Sequence, residues 1–341
     1  MNPFQYEAAG SLDHALQRLS GTAAARPIAG GTNLLDLLKM RITQVARVVD
    51  INALPLADIS ELPDGGLRLG ATARNADTAY HPLVRQRYPL LAAAILAGAS
   101  PQIRNMASNA GNLLQRTRCT YFYDPSVPCN KRDPGSGCSA FDGLTKYHAI
   151  LGASEHCIAT HPSDMCVALA ALDAVVVAVS TRGERRIRFG DLHRLPGAAP
   201  ERDTTLEEDE IIVAIDLPAA ASFVRHSAYL KIRERLSYAF ALVSVAAALD
   251  LDEGGRIREA RLALGGVAHK PWRDVAVEAS LVGMPCSQEQ FEATAARLLE
   301  GAVAHGRNEF KIPLAHRTIV RALHIAARGT EDNGAHARVA P

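Results

Sequence analysis

Four of the six cysteines, Cys119, Cys129, Cys138 and Cys157, fall within the span 119–157, while Cys166 and Cys286 stand apart. The intervening stretch, Arg118-Cys-Thr-Tyr-Phe-Tyr-Asp-Pro-Ser-Val-Pro-Cys-Asn-Lys-Arg-Asp-Pro-Gly-Ser-Gly-Cys138, is rich in proline and glycine. Proline removes a backbone donor and glycine resists ordering, so long helices and central strands are excluded here. Four thiolates can order such a loop by binding a tetrahedral zinc or an iron–sulfur cluster. The gaps of nine, eight and eighteen residues lack the C-x2-C knuckles of structural zinc. Disulfides are the third reading. They are disfavoured because Met-Asn-Pro-Phe-Gln-Tyr at the N-terminus lacks a basic n-region and an apolar h-region, so no secretory signal is expected on this chain.

A second kind of chemistry is suggested by Pro27-Ile-Ala-Gly-Gly-Thr-Asn-Leu-Leu35. Paired glycines between a short strand and a helix permit positive φ and close backbone approach to a ligand, and amides at the helix start favour an anion. The loop matches neither the Walker pattern nor G-x-G-x-x-G, so by itself it fits a tight turn as well as a phosphate site. A second loop, Ile103-Arg-Asn-Met-Ala-Ser-Asn-Ala-Gly-Asn112, is dense in small residues and side-chain donors. Two such loops are suited to one extended polar ligand.

Ala29-Gly30-Gly31-Thr32-Asn33, Ala107-Ser108-Asn109-Ala110-Gly111-Asn112 and His161-Pro162-Ser163-Asp164, in that order, resemble the three FAD-contacting segments of the flavoprotein subunits of molybdenum hydroxylases. These are the relatives of xanthine dehydrogenase and carbon monoxide dehydrogenase, and the likeness runs over nearly the whole chain. The resemblance implies that Ala29, Gly30, Gly31, Thr32, Asn33 and Leu34 wrap the FAD pyrophosphate. It further implies that Ser108, Gly111 and Asn112 line the flavin and its phosphates, that Asp164 bonds the ribityl chain, and that Lys231 lies beside the isoalloxazine ring. The family's two glycines before the asparagine are here Ala110 and Gly111. Read without the resemblance, Asp164 is a helix N-terminal carboxylate and Lys231 a solvated strand residue.

The cysteine loop is similar to an insertion that carries a 4Fe-4S cluster in the flavin subunits of periplasmic aldehyde oxidases and 4-hydroxybenzoyl-CoA reductase, closest to the former. The resemblance therefore implies Cys119, Cys129, Cys138 and Cys157 as cluster ligands, and Cys166 and Cys286 are read as structural. The twelve histidines show no paired metal-binding spacing, and His269, in Gly-Val-Ala-His-Lys-Pro, is assigned a packing role.

The elements that must position these residues follow from patterning. A strand at 4–7, a Ser11-capped helix at 12–19, a strand at 26–29, a helix at 34–40 and an apolar strand at 45–51 give a β-α-β-α-β unit. From 67 to about 220 strands and helices mix: a strand at 67–70, helices from Asn75 and at 89–99, a loop-rich stretch at 100–157, a Ser163-capped helix at 164–172, and strands at 174–180, 186–188 and 210–217. After a linker at 218–222, strands at 227–233, 239–250 and 257–265 precede helices near 287–304 and 316–327, with Asp252-Glu253-Gly254-Gly255 as a hairpin turn. The expected class is α+β. A PCMH-type FAD-binding domain, 1–222, would comprise subdomains of about 1–57 and 58–222 with a cluster loop at about 115–158. A C-terminal domain at 223–330 and a tail at 331–341 would follow.

Composition narrows the partners. Lys and Arg number 37 against 36 Asp and Glu, which leaves no basic footprint for nucleic acid. Apolar runs such as 239–251 fall short of the roughly 20 residues of a membrane span. Nothing in the chain would bind molybdopterin. By resemblance, substrate is oxidised at molybdenum in a large subunit, and electrons reach this FAD through the 2Fe-2S clusters of a small subunit and leave to an external acceptor. The expected compartment is the periplasm, by co-export with a signal-bearing partner, or the cytoplasm. The alternative is a stand-alone flavin oxidase of the vanillyl-alcohol oxidase type, for which the C-terminal region of about 110 residues is short as a substrate cap.

Overall fold

A computed structural model describes residues 1–22 and 24–330, so the tail at 331–341 lies outside the described residues. Three sheets account for the strands. The first holds β1 (Gln5–Ala8), β2 (Ala25–Ile28) and β3 (Arg47–Asp50), all parallel in the order β1-β3-β2. Ser11 Oγ accepts the His14 N–H at 3.1 Å and starts the helix Leu12–Ser20, which buries Ala15, Leu16 and Leu19. A helix, Leu34–Lys39, follows β2 directly.

The second sheet contains β4 (Ile59–Glu61), β5 (Leu67–Gly70), β6 (Val175–Ser180), β7 (Gly183–Arg188) and β8 (Ile211–Leu217), antiparallel in the order β4-β5-β8-β6-β7. Between β5 and β6 the chain leaves the sheet for an excursion that carries the second loop, the cysteine segment and the third motif. It returns through the helix Asp164–Ala171, every residue of which is buried. That helix packs on Pro89–Ala97 on one side and on the third sheet on the other, which explains why it is apolar all round.

The third sheet is a meander of β9 (Ser227–Ile232), β10 (Val243–Leu251) and β11 (Ile257–Gly265). Helices Val275–Ala279, Gln288–Leu298 and Lys311–Arg328 follow. The expected α+β class is what is observed, and most elements start within two or three residues of expectation. The last helix begins five residues early because Pro313 lies in its first turn, where no backbone donor is required. The preceding one ends at Leu298 rather than near 304, because the chain turns at Gly301 with φ of 76°. The short strand β4 and the helices Pro101–Arg104 and Asn109–Leu113 carry too little periodicity to be expected from sequence.

The cysteine segment has little regular structure besides Thr120–Tyr123, and the units on either side hold it. Lys131 is buried and donates to Pro200 O at 2.6 Å and Asp203 Oδ1 at 2.5 Å, and Arg116 Nε meets Asp203 Oδ2 at 2.7 Å. From the third unit, the buried Lys311 donates to His148 O at 2.7 Å and Gly266 O at 2.6 Å. Burial pushes the Asp203 carboxyl up, but Lys131 and Arg116 outweigh it and hold the group well below the usual carboxylate range. The pair therefore stabilises the fold fully above about pH 4, where the unfolded carboxylate is ionised, and the contribution fades as pH falls through the lower folded-state value. Asp203→Asn leaves Lys131 buried without its counter-charge. Urea unfolding at pH 7 is expected to show a loss of about 3 kcal/mol, with a smaller difference from wild type in acid.

Candidate functional site

The three loop motifs converge. Gly30 packs so closely on the second loop that a Cβ on it would lie 1.8 Å from Met106 O, and Gly31 has a φ of 68°. Glycine is required at both positions for steric reasons. Asn33 Oδ1 accepts the Arg116 N–H at 2.9 Å, which ties the first loop to the start of the cysteine segment as well. Thr32 is exposed, and Ala29, Asn33 and Leu34 are half-buried. Among the described residues, the successive amides of Gly30, Gly31, Thr32 and Asn33 meet no acceptor within the chain, and the buried Asn33 Nδ2 has no partner. Backbone donors are rarely left unpaired, so a row of four directed away from the chain's own acceptors suits an anionic ligand.

In the second loop, Ser108 is buried and its Oγ accepts the Gly111 N–H at 3.2 Å, starting the helix Asn109–Leu113. Ala110 has ordinary helical geometry and its N–H reaches Ala71 O at 2.9 Å, so the position tolerates a Cβ. Asn109 is fully buried and bonds Gly70 O and Thr78, which fixes the loop to the second sheet. Asn112 spends its amide within the chain: Nδ2 donates to Asn75 Oδ1 at 2.6 Å, and Oδ1 accepts from Ser163 Oγ at 2.5 Å. The last bond joins the second motif to the third.

Asp164 stands in the first turn of its helix, 7% exposed. Tyr229 OH donates to Oδ1 at 2.7 Å, and Lys231 Nζ donates to Oδ2 at 2.8 Å and to Ala97 O at 3.1 Å. Burial and the Asp164 charge raise the Tyr229 hydroxyl well above its usual range, so it remains a donor. The structure thus departs from the solvated reading of Lys231: its side chain is buried and paired. Tyr229, Arg233 (to Ala97 O at 2.9 Å) and Lys131 complete these sites without any motif to announce them.

The four cysteines also gather. Cys129 and Cys138 face each other across an isolated antiparallel bridge, and the charges of Cys119, Cys129, Cys138 and Cys157 act on one another. Burial pushes Cys119 up to about 12 and Cys157 up to about 11, and raises Cys138. Against this, backbone N–H groups point at sulfur: those of Phe122 and Tyr121 at Cys119, of Ala140, Ile158 and Phe141 at Cys138, and of Ala159 at Cys157. Lys131 adds a positive charge beside Cys157. Such an environment is costly for free thiolates and supplies donors for metal-bound ones.

Two histidines touch these sulfurs, His148, which sequence reasoning passed over, and His269, to which it assigned a packing role. His148 Nε2 lies 3.1 Å from Cys119 Sγ, and His269 Nε2 lies 3.3 Å from Cys157 Sγ. Burial holds His148 down to about 4 and His269 down to about 3, so both rings are neutral at physiological pH. Elsewhere His161, Cys166 and His193, which share no sequence spacing, place their ligand atoms within 4.8 Å of one another. His161 and His193 stack edge to face, with ring centroids 4.4 Å apart. Cys166 is fully buried in the Asp164 helix, as expected of a structural thiol.

Comparison with known proteins agrees with this geometry. Residues 2–220 match the family of FAD binding domains in molybdopterin dehydrogenase, and residues 227–326 match the CO dehydrogenase flavoprotein C-terminal domain. The chain is 48% identical over 324 residues to the aldehyde oxidoreductase FAD-binding subunit PaoB of Escherichia coli, covering 95% of this chain and 98% of that one. It is 27% identical to the glyceraldehyde dehydrogenase medium chain of Sulfolobus acidocaldarius over 86% of both. Among solved structures it resembles carbon monoxide dehydrogenase from Hydrogenophaga pseudoflava with a TM-score of 0.74 and 27% identity, over 96% of this chain and 98% of that one. The convergent loops, the three sheets and matches that span both halves of the chain lead to one conclusion: it belongs to the FAD-binding medium subunits of the molybdenum hydroxylases, oxidoreductase complexes with large and small partner subunits.

Proposed function

We propose that this chain is the FAD- and 4Fe-4S-carrying subunit of an aldehyde-oxidising molybdenum hydroxylase, serving as the point at which electrons from partner 2Fe-2S clusters leave for an external acceptor. The observation that carries the flavin part is the row of unpaired amides from Gly30 to Asn33, with Asn33 Nδ2 beside it. Bound FAD supplies one- and two-electron redox chemistry. In this reading Ala29, Gly30, Gly31, Thr32, Asn33 and Leu34 bind the pyrophosphate, and Ser108, Gly111 and Asn112 orient the flavin side of the ligand. Asp164 and Lys231 hold its polar chain and ring, exchanging part of their mutual pairing for the ligand. The same reading divides the chain near residue 222, with the smaller FAD subdomain ending near 57. The aldehyde assignment rests on similarity to the Escherichia coli subunit.

The cluster reading is favoured by the long gaps between the four cysteines, which lack the C-x2-C knuckles of structural zinc. A cubane, with each thiolate on a different iron, suits such gaps and the redox setting better. The reading places the complex in the periplasm, exported with a signal-bearing partner. Fractionation of the native host tests this, and recovery of the complex in the cytoplasm would reverse it.

Anaerobic purification from the native host with metal analysis and flavin release tests the whole assignment. Flavin, about four irons on this chain and a co-eluting molybdenum subunit are expected. Zinc without iron would reassign the cysteines, and flavin without partners would favour a stand-alone oxidase. Gly30→Ala should lower flavin affinity at least about tenfold while the far-ultraviolet circular dichroism is kept, because the Cβ forces the first loop away from Met106. Cys129→Ser should lose the cluster iron and keep the flavin. If the rate of flavin reduction by substrate is unchanged in that variant, the cluster is a structural staple and not a relay.

A further inference from the structure

We infer that His148 and His269 are N–H donors to the cluster-bound sulfurs of Cys119 and Cys157, setting the cluster's redox poise from outside the ligand set. The inference rests on the cluster reading above and extends it to two residues outside the four-cysteine set. Each ring presents Nε2 to a sulfur, at 3.1 Å for His148 and 3.3 Å for His269. Each is buried, 4% and 8% exposed respectively, and in each the other nitrogen, Nδ1, meets no partner among the described residues. A neutral imidazole has one N–H. With no acceptor at Nδ1, the sulfur is, among the described residues, the polar group placed to receive it once Cys119 and Cys157 are thiolates.

The rings are held for this geometry. His148 is fixed through its main chain, whose carbonyl accepts from Lys311 Nζ at 2.7 Å and from Asn308 Nδ2 at 3.3 Å. His269 follows Ala268, whose carbonyl accepts the His161 N–H at 2.9 Å. His148 belongs to the cysteine segment and His269 to the chain after β11, so the two donors reach the cluster from different units. Adding an electron to the cluster increases negative charge on its sulfurs, and donors aimed at those sulfurs favour that state and raise the potential. His269 therefore makes the potential depend on the docking of the C-terminal domain.

The test compares His148→Leu and His269→Leu with His148→Gln and His269→Gln in the intact complex. Iron per flavin and the midpoint potential of the cluster's EPR signal are measured in a reductive titration, with the flavin midpoint as internal control. Leucine variants with full iron, a more negative cluster midpoint and an unmoved flavin midpoint are expected, with glutamine, which retains an N–H, closer to wild type. Iron lost in the leucine variants and restored by glutamine also supports the donor role. Full iron with an unmoved cluster midpoint would overturn the inference alone, as would iron lost equally with leucine and glutamine, since the ring itself would then be needed. A wild-type complex without iron would instead remove the cluster reading, and this inference with it.

Discussion

The carboxylate of Asp164 is the group on which the arrangement of the units turns. It lies at the start of a helix with no solvent-facing side, and an ionised carboxylate there is tolerable only if paired and hydrogen-bonded. Both partners, Tyr229 and Lys231, come from β9 of the C-terminal sheet. The residue before it, Ser163, caps the same helix and reaches Asn112 of the second loop. One turn of helix thus sets the C-terminal sheet, the second loop and the third motif in register. The gain in net stability from such a buried pair is small, because desolvation offsets most of the Coulomb attraction. Its effect is specificity: any other docking of β9 leaves a buried charge unmatched.

The glycine loop depends on that register at one remove. Gly30 can lie against Met106 O only if the second loop is where Asn109 and Asn112 hold it. Close backbone approach, rather than any special side chain, then leaves four amides without acceptors among the described residues. Their hydrogen-bonding capacity is available to water or to an anion, which is the physical basis of a binding loop that carries almost no charged side chains.

The cysteine segment solves a different problem. Ordering some forty residues of low propensity costs on the order of 1 kcal/mol or more per residue, and burial of Phe122, Ile150 and Leu151 in the neighbouring cores offsets part of that. Lysines crossing its borders add to this: Lys131 of the segment on Asp203 on one side, and Lys311 of the C-terminal helix on the carbonyls of His148 and Gly266 on the other. These contacts bring four thiols, two of them buried and two half-buried, and two imidazoles into one region between the FAD-binding and C-terminal units. A metal cluster placed there adds its binding free energy to that of folding.

Local patterning determined much of this protein. Alternation and capping residues gave the α+β class, the Ser11 and Ser163 helix starts and the hairpin around Asp252. Types and spacing singled out the glycine loop, the Asn112 loop and the four cysteines as places for chemistry. Such features are legible because backbone propensity, capping and steric freedom act over a few residues. The short helices 101–104 and 109–113 were not legible, since one turn carries no period. Nor was the burial of Lys231, which in sequence is one polar residue in a strand and becomes half of an ion pair only when β9 meets a helix 67 residues away in the chain. His148 and His269 reach their sulfurs across 29 and 112 residues, and His161, Cys166 and His193 meet without any spacing rule. Tertiary structure decided these because pairing between distant side chains follows from how the units pack, and no local term in the sequence encodes that.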